Sequence, residues 1–162
     1  MIILAIDSGL EKTGFSIFSN IKDKYKYLHS GLIKTSKDKT IAQRILQIYN
    51  ELSDLIKKYH PDEIVMEQIF FFKNHKTVIG VSQAQGSVLL LAAQNKLPIS
   101  TLTPLEIKLA VTGYGSTDKK GIQKMIKYYL KEKVTIIDDD QSDAIACGLA
   151  FCFINANKKL YK

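Results

Sequence analysis

The sequence predicts an α/β fold: a five-stranded mixed sheet, made of a three-strand antiparallel meander plus two parallel strands, with helices flanking it. Three observations carry this. The chain opens on an unbroken apolar run, Ile2-Ile3-Leu4-Ala5-Ile6, of the kind that fills a strand buried on both faces. Two further strand-like segments, 13–19 and 25–34, follow between polar turns, as in successive hairpins. A long amphipathic helix then precedes a second apolar strand at 63–68, and a helical crossover places its strand parallel to an earlier one.

Each element has a local reason. The first strand ends at Asp7, and Ser8 to Lys12 supply the turn into Thr13-Gly14-Phe15-Ser16-Ile17-Phe18-Ser19. Asn20 to Lys24 is a polar turn, and Tyr25 to Lys34 is the third strand, with Gly31 expected to mark a bulge. In the helix over 40–59, Ile41, Ile45, Ile48, Leu52, Leu55 and Tyr59 recur at three- and four-residue steps, and Pro61 ends it. Glu63 to Gln68 is the fourth strand and belongs beside the first, so that Asp7 and Glu67 share one sheet edge. Ile69 to Asn74 carries three consecutive phenylalanines, which cannot all face one core. A second helix over about 76–95 is apolar around much of its girth, and Pro98 to Thr103 is the fifth strand. Thr103-Pro104-Leu105-Glu106 combines an N-cap, a first-position proline and a capping-box glutamate, so a short helix starts there and stops at Gly113. Asp118 opens a helix over 119–131, and the last helix covers about 141–156. The whole is assigned as one domain, residues 1–157, with 158–162 a short tail.

Composition narrows the function. A formal net charge of +7 with lysines gathered after residue 107 points to a polyanionic partner, nucleic acid first, against the plainer reading of a solvated lysine-rich surface. No apolar run is long enough to span a bilayer and the N-terminus lacks the features of a signal peptide, so a cytoplasmic protein without a membrane partner is expected. Cys147 and Cys152 fall on different faces of one helix and read as reduced thiols acting as small apolar residues.

The chemistry is carried by acids. A carboxylate at the end of a buried strand is costly unless paired, hydrogen-bonded or bound to a metal. Asp7 fits that description, although Asp-Ser-Gly is equally good turn chemistry. Glu67 ends the other apolar strand in the same way. Asp140 and Asp143, three apart at the start of the last helix, share a face. Interaction with the helix dipole explains Asp138 to Asp140 well, but not Asp143, which enters a small apolar helix meant to pack tightly. Four converging carboxylates would drive one another's pKa up. Divalent cations relieve that repulsion, and hard oxygen donors select Mg²⁺, with Mn²⁺ able to substitute. Two such ions per active site suit in-line phosphodiester hydrolysis.

The motifs Ile6-Asp7-Ser8-Gly9 with Thr13-Gly14, Glu67-Gln68-Ile69-Phe70 with Lys73-Asn74, Gln83-Ala84-Gln85-Gly86, Val111-Thr112-Gly113-Tyr114-Gly115-Ser116 with Lys119, and Asp140-Gln141-Ser142-Asp143-Ala144-Ile145-Ala146 are colinear over nearly the whole chain. Together they resemble the ribonuclease H-like superfamily and, within it, the RuvC family of Holliday junction resolvases. The resemblance implies a ribonuclease H-like fold and a crossover junction endodeoxyribonuclease that resolves four-way DNA junctions by paired symmetric nicks in recombination and repair. It implies metal-ligating, catalytic roles for Asp7, Glu67, Asp140 and Asp143. It places Lys108 and Lys119 near the scissile phosphate, and Phe70, Lys73 and Lys120 on the DNA-binding surface. Phe70 would stack on a base where the junction opens, although the sequence alone does not choose among Phe70, Phe71 and Phe72. It further implies a homodimer, with the second helix as its interface, and the RuvA–RuvB branch-migration complex as partner. Ser8 departs from the family's usual proline. Asp7-Ser8-Gly9 with Thr13-Gly14 also resembles the phosphate hairpin of actin-like ATPases, but those need two lobes to enclose a nucleotide. A junction-binding module without activity and an RNA-directed ribonuclease H are the other readings; all four acids speak against the first, and the Phe-rich stretch and apolar helix against the second.

Overall fold

The computed structural model describes residues 1–21, 24–68, 75–131 and 134–160. Five strands, β1 (Ile2–Asp7), β2 (Lys12–Ile21), β3 (Lys24–Lys34), β4 (Glu63–Glu67) and β5 (Ile99–Leu102), form one sheet in the order β3-β2-β1-β4-β5. β1 runs antiparallel to β2 and parallel to β4; β5 is parallel to β4. Five helices complete the chain: α1 (Ile41–Tyr59), α2 (His75–Gln94), α3 (Pro104–Thr112), α4 (Lys119–Leu130) and α5 (Asp139–Leu160). The meander and the two parallel strands are thus those the sequence predicts.

Strand periodicity decides what lies on each side. Successive side chains point to opposite faces. Leu4 and Ile6 of β1, Ile64 and Met66 of β4 and Ile17 of β2 pack with Ile48, Leu52 and Ile56 of α1 and Val88 and Leu91 of α2. Ile3, Ala5 and Val65 pack on the other face with Ile107 and Val111 of α3, Ile122 and Ile126 of α4, and Ile145 and Leu149 of α5. Both faces of β1 are therefore covered, which is why its sequence is continuously apolar. The same alternation puts Asp7 on the face of Ile3 and Ala5, and Glu67 on the face of Val65: the side covered by α5.

Two readings are corrected. The meander's irregularity lies at Leu28, not Gly31: Ile17 pairs with His29 and Phe18 with Tyr27, leaving Leu28 as the extra residue. Gly31 is in regular register opposite Phe15, and a Cβ there would stand 2.7 Å from the Phe15 ring, so this glycine makes room for an aromatic. The last helix starts at Asp139 rather than 141, because the Asp138 side chain accepts from the Asp140 amide at 3.2 Å and its carbonyl accepts from Ser142 N–H, an N-cap arrangement. It also continues to Leu160, beyond the expected end near 156. Elsewhere the caps agree with the sequence: Thr103 and Glu106 form a reciprocal capping box with Pro104 in the first turn, and Asp118 caps α4.

Candidate active site

Four acids meet on the α5 side of the sheet. Ile6 pairs with Met66 in the parallel β1–β4 ladder, so Asp7 and Glu67 follow side by side as the strands end. α5 crosses this edge with its first two turns. Ser16 Oγ donates to the Ala144 carbonyl at 2.8 Å, and Gln141 Nε2 donates to Ser30 Oγ at 2.8 Å, fixing the helix start to β2 and β3. Gly14 permits the approach: a Cβ there would lie 1.9 Å from the Asp140 carbonyl oxygen. Gly14→Ala must push α5 away and is expected to cost about 1–3 kcal/mol, read as a lowered melting temperature.

Asp7, Glu67, Asp140 and Asp143 line one cavity of about 850 Å³. A smaller cavity of about 180 Å³ adjoins it, sharing Glu67 and Asp143 and walled by Lys108 of α3 and Lys119 of α4. Burial, with the charges of Asp143, Glu67 and Asp140, pushes the Asp7 carboxyl from its ordinary 3.8 to about 7. Burial and Asp143 raise Glu67, while Lys108 and Lys119 pull it back. Burial raises Asp140, as does Asp138 beside it. Burial also raises Asp143, against the nearby Lys119 ammonium, which stands 3.4 Å from Asp143 and 3.5 Å from Asp139.

The donor set is entirely hard carboxylate oxygen, and burial with mutual repulsion raises the pKa of all four members, so it fits a divalent cation. Among the described residues no three acid, histidine or cysteine side chains are closed on one point as they stand; the carboxylates are gathered without being drawn together.

Of the other expected residues, Lys120 is exposed on the first turn of α4 and lines neither cavity. Phe70, Phe71, Phe72 and Lys73 lie outside the described residues. Some contributors were not visible in sequence. Lys12 reaches Asp138 at 2.6 Å, holding its carboxyl below the usual range and tying the β1–β2 turn to the cap of α5. Gln85 of α2 donates to the Glu67 carbonyl at 3.0 Å. These partners sit far apart in sequence, so no local pattern announces the contacts, although Gln85 itself lies in the Gln83-Ala84-Gln85-Gly86 motif. Gln141 falls within the Asp140-Gln141-Ser142-Asp143 motif, which is its signal in the sequence. Ser8 Oγ is, among the described residues, the buried side-chain oxygen without a hydrogen-bond partner. Ser8→Ala removes that unpaired hydroxyl and is expected to stabilise the fold by about 1 kcal/mol, seen as a higher midpoint in urea.

Two acids delivered by the neighbouring parallel strands β1 and β4, and two more by a helix laid across the same sheet edge, belong to a fold of the ribonuclease H-like class. The family model described as crossover junction endodeoxyribonuclease RuvC matches residues 3–152. The chain belongs to the RuvC family. It is 41% identical to the crossover junction endodeoxyribonuclease RuvC of Pseudothermotoga lettingae over 95% of this chain and 95% of that protein. It is 38% identical to that of Fusobacterium nucleatum over 97% of this chain and 80% of the other. Among solved structures, Thermus thermophilus RuvC in complex with a Holliday junction substrate superposes with a TM-score of 0.89 at 24% identity, covering 98% and 96% of the two chains, a likeness of fold.

Proposed function

We propose that this chain is a metal-dependent endodeoxyribonuclease that resolves four-way DNA junctions. The observation that carries the proposal is the convergence of Asp7, Glu67, Asp140 and Asp143 on one cavity beside Lys108 and Lys119, in a member of the RuvC family. The four carboxylates would hold two Mg²⁺ ions, with Mn²⁺ able to substitute. When bound, such ions activate the attacking water and stabilise the leaving oxygen of a phosphodiester.

The rest is the work of the chain itself. Asp7 and Glu67 are fixed by the strands that end in them, and Asp140 and Asp143 by the contacts that seat α5. Lys119, reaching Asp143 from α4, and Lys108, close enough to lower the Glu67 pKa, are cations at the rim where a phosphate enters. Lys120 and the sequence-assigned Phe70 and Lys73 extend the DNA surface in this reading.

A second copy of the chain belongs to the proposal, since a two-fold dimer offers one site to each of two equivalent strands. Ile79, Leu89 and Leu90 of α2 are exposed at 60%, 50% and 55%, an apolar face that supports α2 as the interface. Charge introduced there, as Leu89→Lys with Leu90→Glu, is expected to give monomers in sedimentation and single rather than paired nicks. The RuvA–RuvB complex remains the proposed cellular partner on family membership alone. Among the described residues no helix is long and apolar enough to cross a membrane.

The direct test is incubation of a mobile four-way junction and an equal-length duplex with Mg²⁺. Paired nicks near the crossover, with the duplex intact, support the reading; equal cutting of both, or of neither, rejects it.

A further inference from the structure

Lysine supplies 22 of the 23 cationic side chains of this sequence, and the sole arginine is Arg44. It stands on α1, the helix layer opposite α5, yet its side chain lines the same cavity as the four acids. There its position is set. Arg44 Nε donates to Thr35 Oγ1 at 2.8 Å, and the buried Thr35 hydroxyl donates in turn to the Leu10 carbonyl at 2.5 Å. Thr35 N–H also donates to the Glu11 carbonyl at 3.0 Å. The guanidinium is thereby anchored to the β1–β2 turn that follows Asp7.

Among the described residues the terminal nitrogens make no hydrogen bond. A guanidinium in a cavity lined by carboxylates would be expected to pair with one of them. Among the described residues Arg44 forms no ion pair, and the nearest acid of the turn, Glu11, is engaged by Lys37 at 3.2 Å. The outcome is a planar fork of donors, held by its Nε, with its Nη groups uncommitted at the cavity wall. Arginine differs from lysine in that fork, which matches two oxygens of a phosphate at once. A chain that uses lysine wherever charge alone suffices has arginine where geometry matters.

We infer that Arg44 is a substrate-binding residue that grips one backbone phosphate of the cleaved strand, next to the scissile phosphate and on the side away from Lys108 and Lys119, with Thr35 as its positioning residue. This rests on the junction-cleaving function proposed above. It gives the strand two cationic holds, one on each flank of the acids, so that the scissile phosphate is centred over them.

The test pairs protein and DNA changes. Methylphosphonate, which removes one phosphate charge, is placed at successive positions around the cleavage point. Wild-type cleavage is expected to fall about tenfold at one flanking position. Arg44→Ala is expected to lose about tenfold on the unmodified junction and nothing further at that position, since the contact is already gone. Arg44→Lys should recover only part of the loss, and the salt slope of binding should fall by about 1 for Arg44→Ala. Thr35→Val should weaken the same coupling, and Thr35→Ser should restore it. Because the coupling is read in the DNA, a general loss of protein stability cannot imitate it. Losses that simply add at every position overturn the Arg44 assignment while leaving the function intact. Failure of the wild-type chain to cut the unmodified junction overturns the functional reading, and this inference with it.

Discussion

Asp7→Asn is expected to slow junction cleavage by about a thousandfold or more while leaving junction binding within about threefold of the wild-type chain. Removing groups that only orient metal ligands typically costs about 10–100-fold, and Asp7 is assigned as a ligand itself. It sits deepest of the four acids, and its carboxyl responds to each of the other three. Asn keeps the shape of the side chain but cannot carry the charge that draws in a cation. Binding is expected to survive because, in the proposed reading, DNA is held through phosphates and shape by rim residues and not by the acids. Single-turnover cleavage and gel-shift affinity, measured on the same junction in Mg²⁺, separate the two. Glu67→Gln and Asp143→Asn are expected to behave alike.

The same substitution should stabilise the metal-free protein, and more so as pH rises. The folded-state pKa of Asp7 is raised, from 3.8 to about 7. Between those values the folded chain holds a proton that the unfolded chain has released, so stability falls as pH increases across that window and is level above it. A shift of roughly three units corresponds to about 4 kcal/mol at most. At pH 4 wild-type and Asp7→Asn proteins should therefore melt close together in chelator, and at pH 8 the variant should be the more stable by about 2–4 kcal/mol. Saturating Mg²⁺ should reverse the order, since only the wild-type site regains its charge balance. A constant gap between the two proteins across pH would show that Asp7 is not strained by its neighbours.

Much of this arrangement was legible in the chain because it follows from short-range rules. Apolar runs ending in Asp7 and Glu67 read as buried strands, and alternation then forces both acids to one face. Thr103-Pro104 and Asp118 announce their helices through capping chemistry that needs only four residues. The start of α5 was misplaced by two residues because its cap is completed from far away: Asp138 is held by Lys12, 126 positions earlier. Arg44 is inconspicuous in the sequence for a related reason. On α1 it reads as one more polar residue of a solvated face, and only the Thr35 contact and the course of the turn after Asp7 bring it to the acids. The displaced bulge reflects pairing: Ile17 opposite His29 and Phe18 opposite Tyr27 leave Leu28 over, a question of register across strands.

In the proposed function the four carboxylates hold a divalent ion at the junction-cleaving centre. Substituting Fe²⁺ and generating hydroxyl radicals with ascorbate and peroxide cuts the polypeptide where the ion resides. Backbone cuts are expected to cluster near residues 7, 67 and 140–143, to be suppressed by excess Mg²⁺ and to be absent from Asp7→Asn. Cuts concentrated elsewhere, or cuts at these positions that neither Mg²⁺ nor Asp7→Asn reduces, would contradict it.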